Sequence, residues 1–301
     1  LKQNDLNNKN VAQNMRNYWL NSNKKEKVKL MEKIEKEMME AAKELDFERA
    51  TELRDILFEK LKKYDFEVTY NFHPKAELII SIGGDGSFLK TVNDFGYPEI
   101  PIVGINTGHL GFFTDVYPDF IDDFINEYIN NNYILQDIPL LQTTVCTKKS
   151  CIDLYAINDV VIKGDRSRTI HLSLNVNNKH IQKFSGDGLL ISTPTGSTAY
   201  NYAAGGSIVD PSLKLMQLTP LHPINTNAYR CFTSSIIFSH DAIVSILPEY
   251  RFENSLLVVV DGVEYRLEEI EDINITTSDV DIKLLRLTNY EFWSRVSEKF
   301  L

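Results

Sequence analysis

"AELIISIGGDGSFLKTV", residues 76–92, decides how this chain is read. An apolar run that suits a buried strand ends on Gly83-Gly84-Asp85-Gly86, and helical character follows from Ser87 to Asp94. Glycines at the carboxyl end of a strand let backbone N–H groups approach a phosphate without Cβ collisions, and the helix behind adds its positive end. A carboxylate in the same loop repels phosphate, so Asp85 needs a task. It can take a proton from a hydroxyl nucleophile, hold Mg2+ beside the phosphates, or, with no chemistry at all, cap the helix. Phosphoryl transfer to an alcohol uses the first two.

Outward from this loop, "FEVTY" (residues 66–70) is a short β-prone run and "IPIVGIN" (residues 100–106) is a second apolar strand. Apolar strands joined by helical crossovers indicate a parallel sheet covered on both faces. In "DVYPDFIDDFINEYINNNY", Phe120, Ile121, Phe124, Ile125 and Tyr128 recur with a helical period. From Gln136 to Leu287 the chain reads as many short alternating strands, among them "YAINDVVIKG" and "SLLVVVDGVEYRL". The expected class is α/β plus β: a Rossmann-like parallel-sheet domain over 66–135, a β-rich sandwich binding the ligand over 136–287, and a tail, 288–301, returning to the first domain.

Composition narrows the function. A chain of 301 residues with 43% apolar content can build two modest cores. A net charge of -10 and a pI near 5.2 argue against a nucleic-acid partner, while small anionic ligands remain open. Cys146, Cys151 and Cys231 are odd in number and lack paired CxxC spacing, so neither a disulfide framework nor a structural zinc is expected; they read as free thiols in a reducing cytosol. No stretch reaches the roughly 18 apolar residues of a membrane span, and the start is polar and Asn-rich rather than signal-like, so no membrane partner and a cytoplasmic location are expected. The chain opens on Leu1 rather than Met, which reads as a fragment or a processed product.

Residues 1–25 are too polar to repay ordering and read as a flexible lead. From 26 to 65, Leu30, Met31, Ile34, Met38, Ala42 and Leu45, then Ala50, Leu53, Leu57 and Leu61, recur at helical steps, with Asp46 placed to cap the second of two helices. "MEKIEKEMMEAAKELDFERATELRDILF" resembles the helical-hairpin module at the end of bacterial excision-repair nuclease subunits. Such a hairpin either binds a protein partner or is an ordinary solvated helix pair packed on the next domain.

A second cluster lies at 184–223, "FSGDGLLISTPTGSTAYNYAAGGSIVDPSLKLMQLTPLHP". It repeats Gly-Asp-Gly at 186–188 and gathers small hydroxyl residues from Ser192 to Thr198 around Pro194 and Gly196. Hydroxyls and open amides suit a polyhydroxylated, phosphorylated ligand, with Tyr200 available to stack on a base or ribose. Taken alone, this stretch also fits a loop-rich turn region.

With "IISIGGDGSFL", "VGINTGHLGFFT", "AINDVVI", "SGDGLLISTPTGSTAYNYAAGG" and "PSLKLMQLTPLHP" side by side, the chain from Phe66 onward resembles the bacterial NAD kinases. The resemblance implies transfer of a phosphoryl group from ATP or polyphosphate to the 2′-hydroxyl of the adenosine ribose of NAD. It also implies an active site between an α/β and a β-rich domain, Mg2+ or another divalent cation arriving with the donor, no dedicated metal cage, and a homotetramer or homodimer. By motif, Asp85 is the general base and Gly83, Gly84 and Gly86 shape the phosphate loop. Asn158 and Asp159 contact the adenosine ribose and base, although the pair alone reads as a β-turn. Asp187 lies near the nicotinamide end or across a subunit contact, and Thr195, Thr198, Ala199, Tyr200 and Asn201 line the dinucleotide pocket. His109 and His222 are expected only to satisfy local hydrogen bonds. Members of the family normally begin with a "KIAI"-type strand; here the charged hairpin stands in its place, so a sheet one strand short is expected. Two other readings stay open: a lipid kinase or phosphofructokinase sharing GGDG, though these lack "STPTGSTAYN", and a dinucleotide-binding or interaction relative without turnover.

Overall fold

The computed structural model of the chain describes residues 47–108, 110–165, 168–225, 230–249 and 255–300. The chain divides into two units, residues 1–59 and 60–301. Helix α1 covers 47–62, while the lead and the first helix of the expected hairpin lie outside the described residues, as does His109.

Strand β1 (Ile79–Gly83) pairs in parallel with β2 (Ile102–Asn106), from Ile79 opposite Ile102 to Gly83 opposite Asn106. Every residue of β2 is buried, as a parallel strand covered on both faces requires. Helix α2 (Asp85–Asp94) turns Phe88 and Val92, four residues apart on one face, into the core. There Phe88 stacks on Phe113 at 4.7 Å between ring centroids. Strand β3 (Thr114–Val116) adds to β2, and α3 (Ile121–Ile129) follows a 3-10 turn. The crossover thus delivers the GGDG loop to the carboxyl end of β1, where open α/β sheets bind ligands.

"FEVTY" forms no ladder. Among the described residues β1 is the edge of its sheet, and the run, for all its β propensity, does not add to that open side.

The second half departs from a series of short strands. β4 (Tyr133–Thr147) has 15 residues and β15 (Ile270–Leu287) has 18, and they pair antiparallel along most of their length. β15 also meets β2 in parallel at Leu284, opposite Ile102, and pairs antiparallel with β12 (Val244–Pro248). One strand therefore continues the α/β sheet into the β-rich half.

With β5 (Cys151–Ala156), β7 (Ile170–Val176) and β8 (Lys179–Gly186), nine strands are joined among the described residues, along the path β1-β2-β15-β12-β7-β8. A six-stranded sheet faces it. It comprises β6 (Asp159–Gly164), β9 (Gly188–Ser192), β10 (Leu215–Leu221), β11 (Ile236–Ser239), β13 (Ser255–Val260) and β14 (Val263–Glu268), in the order β11-β10-β9-β6-β13-β14. Inward residues of both sheets, such as Leu172, Val244 and Ile273 on one and Val160, Leu189 and Val258 on the other, share one core. Helix α4 (Tyr200–Ala203) sits between β9 and β10, and α5 (Phe292–Phe300) closes the chain.

The expectation of free thiols is corrected at two positions. Cys146 and Cys151 are register partners across the β4–β5 hairpin, with Cα atoms 4.0 Å apart, and are joined as a disulfide; Cys231 stays free and buried. Counting CxxC spacings does not detect a pair created by hairpin register, and the cysteine argument for a reducing compartment falls with it.

Candidate active site

Asp85 is the first residue of α2, but it does not cap it. The N-cap is Gly84, with no side-chain cap bond. The Asp85 carboxylate instead faces the "LGFFT" loop, where Oδ2 accepts the Phe112 N–H and Oδ1 the Phe113 N–H, each at 2.9 Å. Two successive amides thus fork onto two oxygens, fixing the plane of the carboxylate and leaving each oxygen a free lone pair. This works because position 111 is glycine. A Cβ there would overlap Asp85 Oδ1 and Thr114 Oγ1 and stand 3.0 Å from Asp85 Cγ.

Gly83 is also held by sterics. It has φ +146°, and a Cβ would stand 2.6 Å from that of Ser87. A Cβ at Gly84 or Gly86 would meet no protein atom within 4 Å, so protein packing does not dictate these two glycines.

One turn beyond Asp85 on the same helix face, Leu89 lines a cleft of about 320 Å3 shared with Asn158, Asp159, Lys163, Ala199, Tyr200 and Asp261. The structure therefore brings one expected group of residues together beside the GGDG helix. Asn158 and Thr195 are buried, and Asn158 Oδ1 and Thr195 Oγ1 have no hydrogen-bond partner among the described residues. Buried polar atoms are rarely left so, and a polar ligand would satisfy them. Gly196 allows the turn of Thr195–Thr198 to lie on Asn158, for a Cβ would overlap the Asn158 carbonyl oxygen and stand 2.6 Å from its Cα. Thr198 is buried, and its hydroxyl donates to the Thr195 carbonyl at 3.3 Å.

Two expected site residues lie elsewhere. Asn201 is fully buried and does not line the cleft. Its amide donates to the carbonyls of Ser197 and Ser207, at 3.4 and 3.3 Å, and its oxygen accepts from Thr219 at 2.7 Å, so it ties α4 to β10. Asp187 is exposed at the β8–β9 turn, 3.2 Å from Nδ1 of His222.

Asp261, for which the sequence holds no site signal beyond a hairpin Asp-Gly, organises the cleft. It sits at φ +47° in the Asp-Gly turn between β13 and β14. Its carboxylate accepts three successive amides, those of Ile157, Asn158 and Asp159, at 2.7, 2.8 and 3.1 Å. Burial pushes the Asp261 carboxyl up, and the three N–H bonds oppose this. Burial first, and then the charge of Asp261, raises Asp159 to about 7.

An unfolded Asp titrates near 3.9, so the contribution of Asp159 to stability is full below about pH 4. It is lost as pH rises through about 7. Asp159→Asn is therefore expected to melt like the parent in acid and above it by pH 8, by on the order of 2–4 kcal/mol. Melting curves from pH 4 to 8 check this, and a constant difference across the range rejects a buried proton on Asp159.

Residues 4–133 match the ATP-NAD kinase N-terminal domain and residues 157–287 the ATP-NAD kinase C-terminal domain. An NAD kinase of Finegoldia magna is 36% identical over 260 residues, 85% of this chain and 95% of that one. NAD kinase 2 of Listeria monocytogenes is 34% identical, covering 84% of this chain and 96% of its own. Among solved structures, a yeast NADH kinase complexed with NADH superposes with a TM-score of 0.67 at 25% identity, over 74% of this chain and 65% of that one. An Archaeoglobus fulgidus NAD kinase in complex with ATP shares the fold, with a TM-score of 0.65 over 82% of this chain and 92% of that one, at 23% identity. With both domains matched in order and relatives aligned along nearly their whole length, the chain belongs to the NAD kinase family.

Proposed function

We propose that this chain phosphorylates NAD at the 2′-hydroxyl of the adenosine ribose, with ATP as donor and Asp85 as general base. The observation that carries the reading is the forked Asp85 carboxylate, oriented by two amides at the end of β1 and not spent on capping its helix. As the phosphoryl group arrives, the ribose oxygen forms a bond to phosphorus, the bond to the bridging oxygen of ADP breaks, and the hydroxyl proton passes to Asp85. Asn158 and Asp159 contact the ribose and base, Tyr200 stacks beside Ala199, and the buried turn of Thr195 and Thr198 meets the ligand next to them. Asn201 acts behind it, as a positioning residue. Asp187 serves the nicotinamide end or a neighbouring subunit.

The divalent cation of the reaction is Mg2+ in this reading, and it neutralises the donor's phosphates. Such sites take one or two carboxylates plus phosphate oxygens. Among the described residues no group of three or more His, Cys, Asp or Glu could hold a metal; at a site completed by phosphate oxygens, Asp85 in the GGDG loop would be the carboxylate to contribute. The family resemblance further supports polyphosphate as a second donor, a homotetramer or homodimer, and a cytoplasmic location. No described helix is long and apolar enough to cross a membrane. A protein partner for the helical hairpin is part of the same proposal.

The test is NADP formation by the purified chain given NAD, ATP and Mg2+, read with a dehydrogenase that accepts only NADP. The expected result is product that appears with Mg2+ and stops on chelation. Bound NAD without product would overturn the kinase reading in favour of a binding relative.

A further inference from the structure

Helix α5 places a cation at the GGDG carboxylate. Its Phe292 and Phe300 rings pack on Phe112, 5.9 and 6.1 Å away between centroids, and Phe300 also meets Tyr202 at 4.4 Å. Trp293 donates its indole N–H to Asp210 at 3.1 Å, and Arg295 donates to the Tyr117 hydroxyl at 2.7 Å. The helix is thus held to both the "LGFFT" loop and the turns after the hydroxyl-rich cluster. On this anchored element the Lys299 ammonium lies 4.7 Å above the Phe112 ring and 3.8 Å from Asp85 Oδ2. That separation is an ion-pair distance but too long for a hydrogen bond, so its donors are not spent on Asp85. The side chain keeps 34% of its surface open. Arg286, by contrast, is locked: it is buried, donates to Asp115 at 2.5 Å and Gln136 at 2.9 Å, and stacks on Tyr290.

We propose that Lys299 is a further catalytic residue, meeting the oxygens of the phosphoryl group in transit. This rests on Asp85 being the base. A hydroxyl that gives its proton to a carboxylate lies about 2.6–3.2 Å from it. The atom it attacks is about 3–3.5 Å further on. An ammonium on a flexible stem 3.8 Å from Oδ2 therefore reaches the oxygens of that phosphorus. Charge spreads over these oxygens during transfer, and positioned cations are the main means of stabilising it.

The experiment uses the full chain and three variants. Lys299→Met keeps the stem on Phe112 and removes the charge, Lys299→Arg keeps the charge, and Asp85→Asn is measured alongside. Turnover, KM for NAD and melting temperature are read, together with inhibition by ADP and fluoroaluminate in the presence of NAD, which mimics the planar phosphoryl group. Lys299→Met is expected to lower turnover by about 10²- to 10³-fold with little change in KM for NAD, and to abolish fluoroaluminate inhibition. Lys299→Arg restores most of both. Parental turnover and inhibition in Lys299→Met would overturn the proposal. So would a loss that tracks a lowered melting temperature and is not restored by arginine. If Asp85→Asn is slow while Lys299→Met is parental, only Lys299 fails; if Asp85→Asn keeps its rate, the underlying base assignment fails instead.

Discussion

Asp85→Asn is expected to lower turnover by about 10²- to 10⁴-fold, the usual contribution of a general base, while NAD affinity stays broadly intact. The ribose hydroxyl is a poor nucleophile until its proton has a destination, and an amide cannot accept it. The affinity is spared because the cleft is organised by other groups, the Asp261 carboxylate and the turn at Gly196. Asparagine also presents an NH2 group to one of the two N–H donors at Phe112 and Phe113, a mismatch that costs about 1–3 kcal/mol of loop stability. A melting curve measures that separately. Titration of NAD against the variant, beside its steady-state rate, gives the decisive pair of numbers. A parental rate removes Asp85 from the chemistry, and a rate lost together with NAD binding reassigns it to the binding surface.

Gly111→Ala is expected to cost about 10²-fold in turnover, because a misplacement of about 1 Å at a reacting group is worth that much. The new methyl occupies the place of Asp85 Oδ1, so the carboxylate must leave the fork that orients it. The contrasting variant is Gly84→Ala, whose Cβ meets no protein atom within 4 Å. Its penalty is expected in KM for ATP, where backbone approach to phosphate matters, and not in the geometry of Asp85. Because Gly111 acts through Asp85, adding Gly111→Ala to Asp85→Asn should lower the rate little further. Full turnover in Gly111→Ala would mean that the loop has slack and the two amides do not set the carboxylate.

Five residues around this site, Gly111, Phe112, Phe113, Asp261 and Lys299, have no local signal for their part in it. Gly111 and the two amides stand inside the quoted "VGINTGHLGFFT" motif, yet nothing in it says that they address a carboxylate 27 and 28 residues earlier. Asp261 reads as an ordinary hairpin Asp-Gly, a turn pair chosen for positive φ. Its second role, collecting amides 102 to 104 residues away, exists only once β13 returns beside β6. Lys299 reads as one more charge on an amphipathic terminal helix. Asn201 is the converse, since it shares a motif with Tyr200 but is buried and hydrogen-bonded within the protein.

What could be read from residue order was whatever is encoded locally: β1, the glycine turn and α2, whose apolar run, loop and spacing of Phe88 and Val92 need no distant partner. The α/β-then-β order, the GGDG carboxylate, the Asn158-Asp159 pair and the hydroxyl-rich turn were legible for the same reason. Pairing was not. β propensity describes a segment, whereas a strand is a relation between two. "FEVTY" therefore stays unpaired, β15 runs through both halves, and the register of β4 with β5 joins two cysteines expected to be free. The residues that aim the Asp85 carboxylate belong to the same class. Their geometry depends on chain segments far apart in sequence returning to one place, and only long-range packing decides that.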